Sequence, residues 1–498
     1  MPSNDREQGT ADQPSPYRIQ HIVELLFDKT QKQHPLPEHF RTVLVQAAIA
    51  YTAAYSAELE RPTIAARDMI LEQTHEFAPT QRIQAACVAA LQGKKVRPEH
   101  EPCYVVLGER GQKRVLYMVV ILHLARELDR AAVQRLRVEY DADMAVVSFD
   151  GPQVSKALLM LTQARERWEG FIGPIHIIAE ELDSSYELPK AEPAPALQWL
   201  EKAQDSSTLA GGLAQRTMRR FFERMLRCEA AVRIDTAAED IHQMRVATCR
   251  LQASLEIVER VFEPKIIRDF RHGLDHIANM LGAVRDLDVF LEGLESYASG
   301  EGVCVDLSHL RSATMTAREI ALINLRYMLE NSRYLRFRRD FARFLTVPGM
   351  HLVDLPELEH PPRVRDIAGS ALWKRYEQLR AFEDGIAIGD REILHRARIA
   401  GKGLYYTLEF YGAILGSDAE DLLKELSALQ VQLGFVQDLA SARAYIKVLE
   451  MQYDPGAQQY LSYLKERSAE LLVPIPQLWE QATGVSFRNK LYGLIIAL

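Results

Sequence analysis

Two stretches of the chain decide the fold: IHQMRVATCRL at residues 241–251 and LHRARIAGKGL at residues 394–404. Each is followed by a related segment, LGAVRDLDVF from Leu281 and LGFVQDLASA from Leu433. His242 lies 40 residues before Gly282, and His395 lies 39 before Gly434. Two motifs recurring at one spacing identify an internal duplication, with two related units in tandem.

Within each unit the apolar residues step by three and four. Ile241, Met244, Thr248, Leu251, Leu255, Val258 and Phe262 form one seam; Leu394, Ala397, Gly401, Leu404, Leu408 and Tyr411 form the other. This period predicts an amphipathic helix with its seam in a core. One position further on runs a second stripe: His242, Arg245, Cys249 and Gln252 in the first unit, His395, Arg398, Lys402 and Tyr405 in the second. It lies about 100° round the helix, at the border of core and solvent, and His395 to Lys402 covers about 10 Å of axis. That length spans several phosphate groups of an extended anion, and two such helices face to face would line a groove. The same pattern also fits cations that merely flank a core, with Asp286, Asp288 and Asp438 as partners.

Outward from the duplication, helical periodicity dominates. From Tyr17 to about Gln92 there are three or four amphipathic segments, broken at Pro35, Pro37, Pro62 and Pro79. Val115–Arg130 is a largely buried helix. Gln134–Gly151 alternates apolar residues around Asp141-Ala-Asp143, as a small hairpin does, and helix returns at Val154–Trp168. SSYELPKAEPAP (184–195) marks a linker. After Leu209 come further helices, with loops near Pro264, Ser299–Asp306, Pro348–Pro362, Asp384–Asp390 and Asp454. The expected fold class is mainly α: residues 1–16 a tail, 17–188 a helical domain with a small β-hairpin, 189–208 a linker, and 209–498 two tandem pseudo-symmetric helical bundles, about 209–345 and 363–498.

The 498 residues carry 60 Lys+Arg against 68 Asp+Glu, a net charge of −8, with 47% hydrophobic and 26% charged residues. That composition excludes wholesale disorder and general coating of nucleic acid; a polyanion site must be a local concentration of charge. Two such concentrations stand out. Arg216–Arg250 holds eight arginines against five acids, and Arg326–Arg339 five against one. The five cysteines form no Cys-x-x-Cys pair, as expected of reduced thiols in a cytosol. The polar first sixteen residues resemble no signal peptide, and the apolar run Val115–Ala125 is too short to span a bilayer. No phosphate-binding Gly-rich loop, His-Glu-x-x-His or Gly-x-Ser-x-Gly is present.

At HQMRVATCRLQASLEIV, LGAVRDLDVF and LHRARIAGKGLYYTLEFY the chain resembles the CHAD family, the conserved-histidine α-helical domains, over about residues 210–498. The resemblance implies two bundles related by a pseudo-twofold axis, with a basic groove for inorganic polyphosphate. By position it implies His242, Arg245 and Arg250 as ligands in the first repeat and His395, Arg398 and Lys402 in the second. Arg219, Arg220, Arg336 and Tyr406 are additional candidates. The chain departs from the family pattern where Cys249-Arg250 replaces paired basic residues, where Lys402-Gly403 replaces Lys-Lys, and at Tyr405-Tyr406.

Residues 17–188 resemble the helical C-terminal region of the exopolyphosphatase/guanosine-pentaphosphatase family, which is related to HD-type phosphohydrolases. Where those enzymes use a His…His-Asp metal set, this chain has Ala66-Arg67-Asp68; Asp68 and His75 remain, too few for a binuclear metal site. The expectation is therefore a cytoplasmic, non-catalytic polyphosphate-binding protein, associated with polyphosphate granules. It has no cofactor or metal, no specific nucleic acid and no membrane partner, and homo-oligomerisation stays open. A metal-dependent phosphohydrolase acting on polyphosphate or nucleotide polyphosphates, and a helical interaction scaffold, are the alternatives.

Overall fold

The computed structural model describes residues 16–73, 77–93, 97–152, 154–189, 208–234, 237–300, 305–353 and 361–498. The chain divides into two compact units, Met1–Ala203 with Ala342–Pro348, and Gln204–Phe341 with Gly349–Leu498. Most of the described chain is helical, with one small sheet.

The first unit runs α1 (Pro16–Lys29), α2 (Phe40–Ser56), α3 (Pro62–Gln73), α4 (Pro79–Ala90), α5 (Pro102–Val105), α6 (Glu109–Arg130), β1 (Arg135–Asp141), β2 (Met144–Asp150), α7 (Val154–Phe171) and β3 (Ile175–Ala179). Pro62, Pro79 and Pro102 each open a helix, where the missing N–H costs nothing. The hairpin read from the sequence is present: β1 and β2 pair antiparallel from Arg135↔Asp150 to Asp141↔Met144. Its turn places Ala142 at φ 53. The sequence reading had no counterpart for β3, which joins β2 in parallel after the α7 crossover, with Ala145 opposite Ile175. The core gathers Phe27, Phe40, Phe149 and Trp168 around the buried face of α6.

The second unit comprises α8 (Ala210–Ile234), α9 (Ala238–Ile257), α10 (Pro264–Ala298), α11 (Ser308–Glu330), α12 (Ser332–Thr346, which ends in the segment grouped with the first unit), α13 (Val364–Arg380), α14 (Glu383–Ile388), α15 (Arg391–Leu415), α16 (Asp418–Val448), α17 (Pro455–Leu472), α18 (Ile475–Thr483) and α19 (Val485–Ala497). The loop expected at Asp384–Asp390 is thus mostly the short helix α14, closed by Gly389 at φ 71. The Asp390 carboxylate then accepts from the Ile393 N–H at 3.0 Å and starts α15.

Both expected seams are buried throughout. Ile241, Met244, Leu251, Leu255 and Phe262 have no exposed surface, and Ala397, Leu404 and Leu408 match them. Burying each large aliphatic side chain contributes about 1.5–3 kcal/mol. At Gly401 the seam meets α16: a Cβ there would drive into the side-chain amide of Gln430. Glycine at that position lets the two helices approach, at the expense of helix propensity.

The duplication is visible in the packing. In the first repeat α8 packs on α9, α9 on α10 and α10 on α11; in the second α13 packs on α15, α15 on α16 and α16 on α17. Equivalent helices also touch across the repeats, α8 with α13, α9 with α15 and α10 with α16. That is the contact pattern of an internal twofold, in which a surface meets its own copy. Aromatic pairs lock α10 to α16 and α17: Phe290–Tyr445 at 4.9 Å and Tyr297–Tyr460 at 5.2 Å between ring centroids.

Candidate anion-binding site

The α9–α15 contact brings the two cationic stripes together beside the repeat boundary. The second motif of each repeat backs the first. His395 Nδ1 lies 2.8 Å from Gln437 Oε1, while His242 stands beside Arg285, the residue equivalent to Gln437. Burial, and then the Arg285 charge, lower the His242 pKa, so its imidazole is held neutral in the free protein. Arg285 also pairs with Glu292 at 2.8 Å.

Arg245 and Arg398 occupy equivalent positions and feel each other's charge. Both are half-buried. Each has a buried Nε without a hydrogen-bond partner, and neither has an ion pair within 4 Å among the described residues. Burial lowers the Arg398 pKa, Asp438 raises it, and Arg245 lowers it again. Lys402, one turn along α15, has no ion pair among the described residues either. Burial and then Arg398 bring its pKa down to about 8. Two guanidinium groups and an amine in this state are under-solvated and under-neutralised, the condition in which charge-assisted contacts to an anion are strongest.

Two clefts open at this place. One, of about 330 Å³, is lined by Arg250, Arg398, Lys402, Tyr405, Tyr406 and Asp438 among others. The second, of about 720 Å³, is lined by Cys249, Arg271, Arg375, Arg396, Lys402 and Tyr406 among others. Lys402 and Tyr406 belong to both, so the clefts adjoin there. Burial raises the Tyr406 pKa to about 12, which keeps its hydroxyl a neutral donor.

Not every residue expected in the site is available. Arg250 is held by Glu409, Nε and Nη2 each donating at 2.7 Å, with its guanidinium 5.8 Å from the Phe221 ring. It reaches an anion only by leaving that bidentate pair. Arg219 is 3% exposed in the core of α8, which removes it from any solvent-facing groove. Arg220 is exposed on the same helix, and both already interact with neighbours. Arg336 is exposed on α12 and lines neither cleft. Of the acids expected as stripe partners, Asp288 turns away to Arg318 at 2.5 Å, while Asp286 and Asp438 sit within the field of Arg245, Arg285 and Arg398.

Sequence reasoning missed four cations. Arg285 lies inside a quoted motif, but its counterpart is the neutral Gln437, so comparing the repeats hides it. Arg271, Arg375 and Arg396 line the second cleft from α10, α13 and α15. Arg375 pairs with Glu256 at 2.8 Å and Arg271 with Glu259 at 3.6 Å. These pairs make the second cleft less cationic than its arginines suggest.

In the first unit Arg67 is fully buried and pairs with Asp68 at 3.0 Å and Glu101 at 3.1 Å. The carboxylate expected as a remnant of a metal set is therefore the partner of a guanidinium. His75 lies outside the described residues. Among the described residues no three His, Cys, Asp or Glu side chains gather as a metal site. No helix among them is long and apolar enough to cross a membrane.

A family model described as the CHAD domain matches residues 216–447. Among solved structures the chain is similar to the CHAD domain from the plant Ricinus communis, at 23% identity over 58% of this chain and 94% of that one, with a TM-score of 0.42. It is also similar to PptA from Streptomyces chartreusis, at 16% identity over 55% of this chain and 99% of that one, with a TM-score of 0.43. No curated protein matches. The matched segment begins in α8 and ends in α16, so it takes in both cationic stripes and both backing motifs. The likeness to the CHAD domain thus runs over residues 216–447, a little under half of the chain.

Proposed function

We propose that the second unit binds inorganic polyphosphate along the α9–α15 face and does not hydrolyse it. The observation that carries this reading is the convergence of Arg245, Arg398 and Lys402, from equivalent helices, without an ion pair among the described residues. A folded protein loses stability by holding such cations together unless an anion compensates. Polyphosphate supplies one charge per repeating unit along a flexible chain, and it matches a stripe rather than a single pocket. Arginine forks grip its oxygens and Lys402 adds a point charge. Tyr406 offers a neutral donor, and His242 and His395 extend the stripe. Asp286 and Asp438 lie in the field of these arginines without pairing with them.

On this reading the protein is cytoplasmic and gathers at polyphosphate granules. The first unit, whose Asp68 is occupied by Arg67, contributes no hydrolysis. The test is titration of the full chain with long-chain polyphosphate by calorimetry, beside incubation with polyphosphate and excess Mg²⁺ or Mn²⁺. Saturable binding with no orthophosphate above a buffer blank supports the proposal. Absence of binding overturns it, and turnover lost on replacing Asp68 or His75 promotes a phosphohydrolase in its place.

A further inference from the structure

We propose that Lys402 is a site of direct acylation by acyl phosphates, and that the acyl group switches the anion site off. The second clause rests on the polyphosphate reading; the first does not.

Three features of Lys402 combine. Its side chain lines both clefts, so small solutes reach it from two sides. It has no carboxylate partner among the described residues, whereas Lys490 pairs with Glu425 at 2.7 Å and Lys424 with Asp421 at 3.3 Å. Arg398 and Arg245 stand beside it. Two cations next to an unpaired amine form a receptor for a dianion that carries an electrophile at its other end. An acyl phosphate is such a molecule. Its phosphate sits on the arginines and leaves the carbonyl carbon at the amine.

Burial and the Arg398 charge bring the amine to a pKa of about 8, so a sizeable fraction is neutral and nucleophilic near neutral pH. The neutral nitrogen attacks the carbonyl carbon and a C–N bond forms. The C–O bond to phosphorus breaks, and inorganic phosphate leaves with the electron pair. The nitrogen's extra proton passes to the leaving phosphate or to water. The product amide is neutral and bulkier, and it sits where the two clefts adjoin.

The test is incubation of the full chain with acetyl phosphate, followed by mass spectrometry of each lysine over time. Lys447 and Lys465, both exposed, are the comparators. With a larger neutral fraction than an ordinary lysine, Lys402 is expected to be labelled about ten- to a hundred-fold faster. Arg398→Gln is expected to slow that labelling, and Lys402→Arg to remove it while the other sites are unchanged. Labelling of Lys402 at or below the comparators' rate overturns the inference. Tripolyphosphate separates the two readings. Fast labelling without protection by tripolyphosphate sustains the modification and removes the polyphosphate reading. Tight tripolyphosphate binding with slow labelling overturns the modification and leaves that reading intact.

Discussion

Replacing Arg398 by methionine separates binding from folding. Methionine keeps the packing of the aliphatic stem and removes only the charge. In the folded protein that charge is poorly supported: its Nε is buried without a partner, it has no ion pair within 4 Å among the described residues, and burial disfavours it more than Asp438 favours it, with Arg245 disfavouring it further. Its removal is therefore expected to leave the melting temperature unchanged or higher. Binding is expected to move the other way. A hydrogen bond to a charged group contributes about 1.5–3 kcal/mol, so affinity for long-chain polyphosphate should fall about ten- to a hundred-fold. Calorimetry measures both quantities on one preparation, titration for affinity and scanning for stability. The salt dependence of binding should also become shallower, because one fewer counterion is released. A lower melting temperature with unchanged affinity per folded molecule would refute the reasoning and make Arg398 a packing residue.

Four further outcomes follow. Glu409→Gln releases Arg250, which lines the first cleft, from its bidentate pair and removes the negative charge that neutralises it, so polyphosphate affinity should rise; a fall would show that the pair itself shapes the site. On the polyphosphate reading Lys402 binds as a cation, and burial brings its pKa down to about 8, so affinity should drop as pH rises from 7 through 9. Lys402→Met should weaken binding at pH 7 and flatten that profile. His242 has a lowered pKa, so it gains its proton only below the ordinary value of 6.5, and affinity should rise as pH falls through that window if its cation binds; an unchanged slope in His242→Gln assigns it a structural role. His123, buried on α6 beside Arg167, is held down at a pKa of about 3 by burial first and that guanidinium second. The unfolded chain then binds its proton more readily, so stability present at pH 7 is lost as pH falls from 6.5 toward 3. By pH 4 the loss is about 3 kcal/mol, and His123→Gln should remove it in thermal melts.

Local spacing and long-range electrostatics divide what could be read from the sequence. The seams were legible because a helix buries one stripe, and the three-and-four stepping of Ile241–Phe262 and Leu394–Tyr411 names that stripe directly. The hairpin was legible from alternation around Asp141 and Asp143. Strand β3 was not: IHIIA (175–179) is five residues long, and its partner β2 lies across the α7 crossover, so nothing local marks the pairing. The stripe's phase gave Arg245, Arg398 and Lys402 correctly as border residues. It could not give the Arg250–Glu409 pair, whose members are 159 residues apart. Arg219 looked like part of a basic cluster because composition counts charges without regard to helix phase. On α8 it falls on the same face as Phe222 and Met218, and it is buried with them.

The central claim is that one patch, built from equivalent residues of both repeats, holds the polyanion. Its most direct test compares the double variant Arg245→Gln/Arg398→Gln with the control Arg165→Gln/Arg167→Gln on α7, both titrated with long-chain polyphosphate at low and high salt, with circular dichroism to confirm the fold. The stripe variant is expected to lose nearly all binding and the control almost none, with wild-type affinity falling steeply as salt rises. Equal losses from both variants, or wild-type binding indifferent to salt, would contradict it.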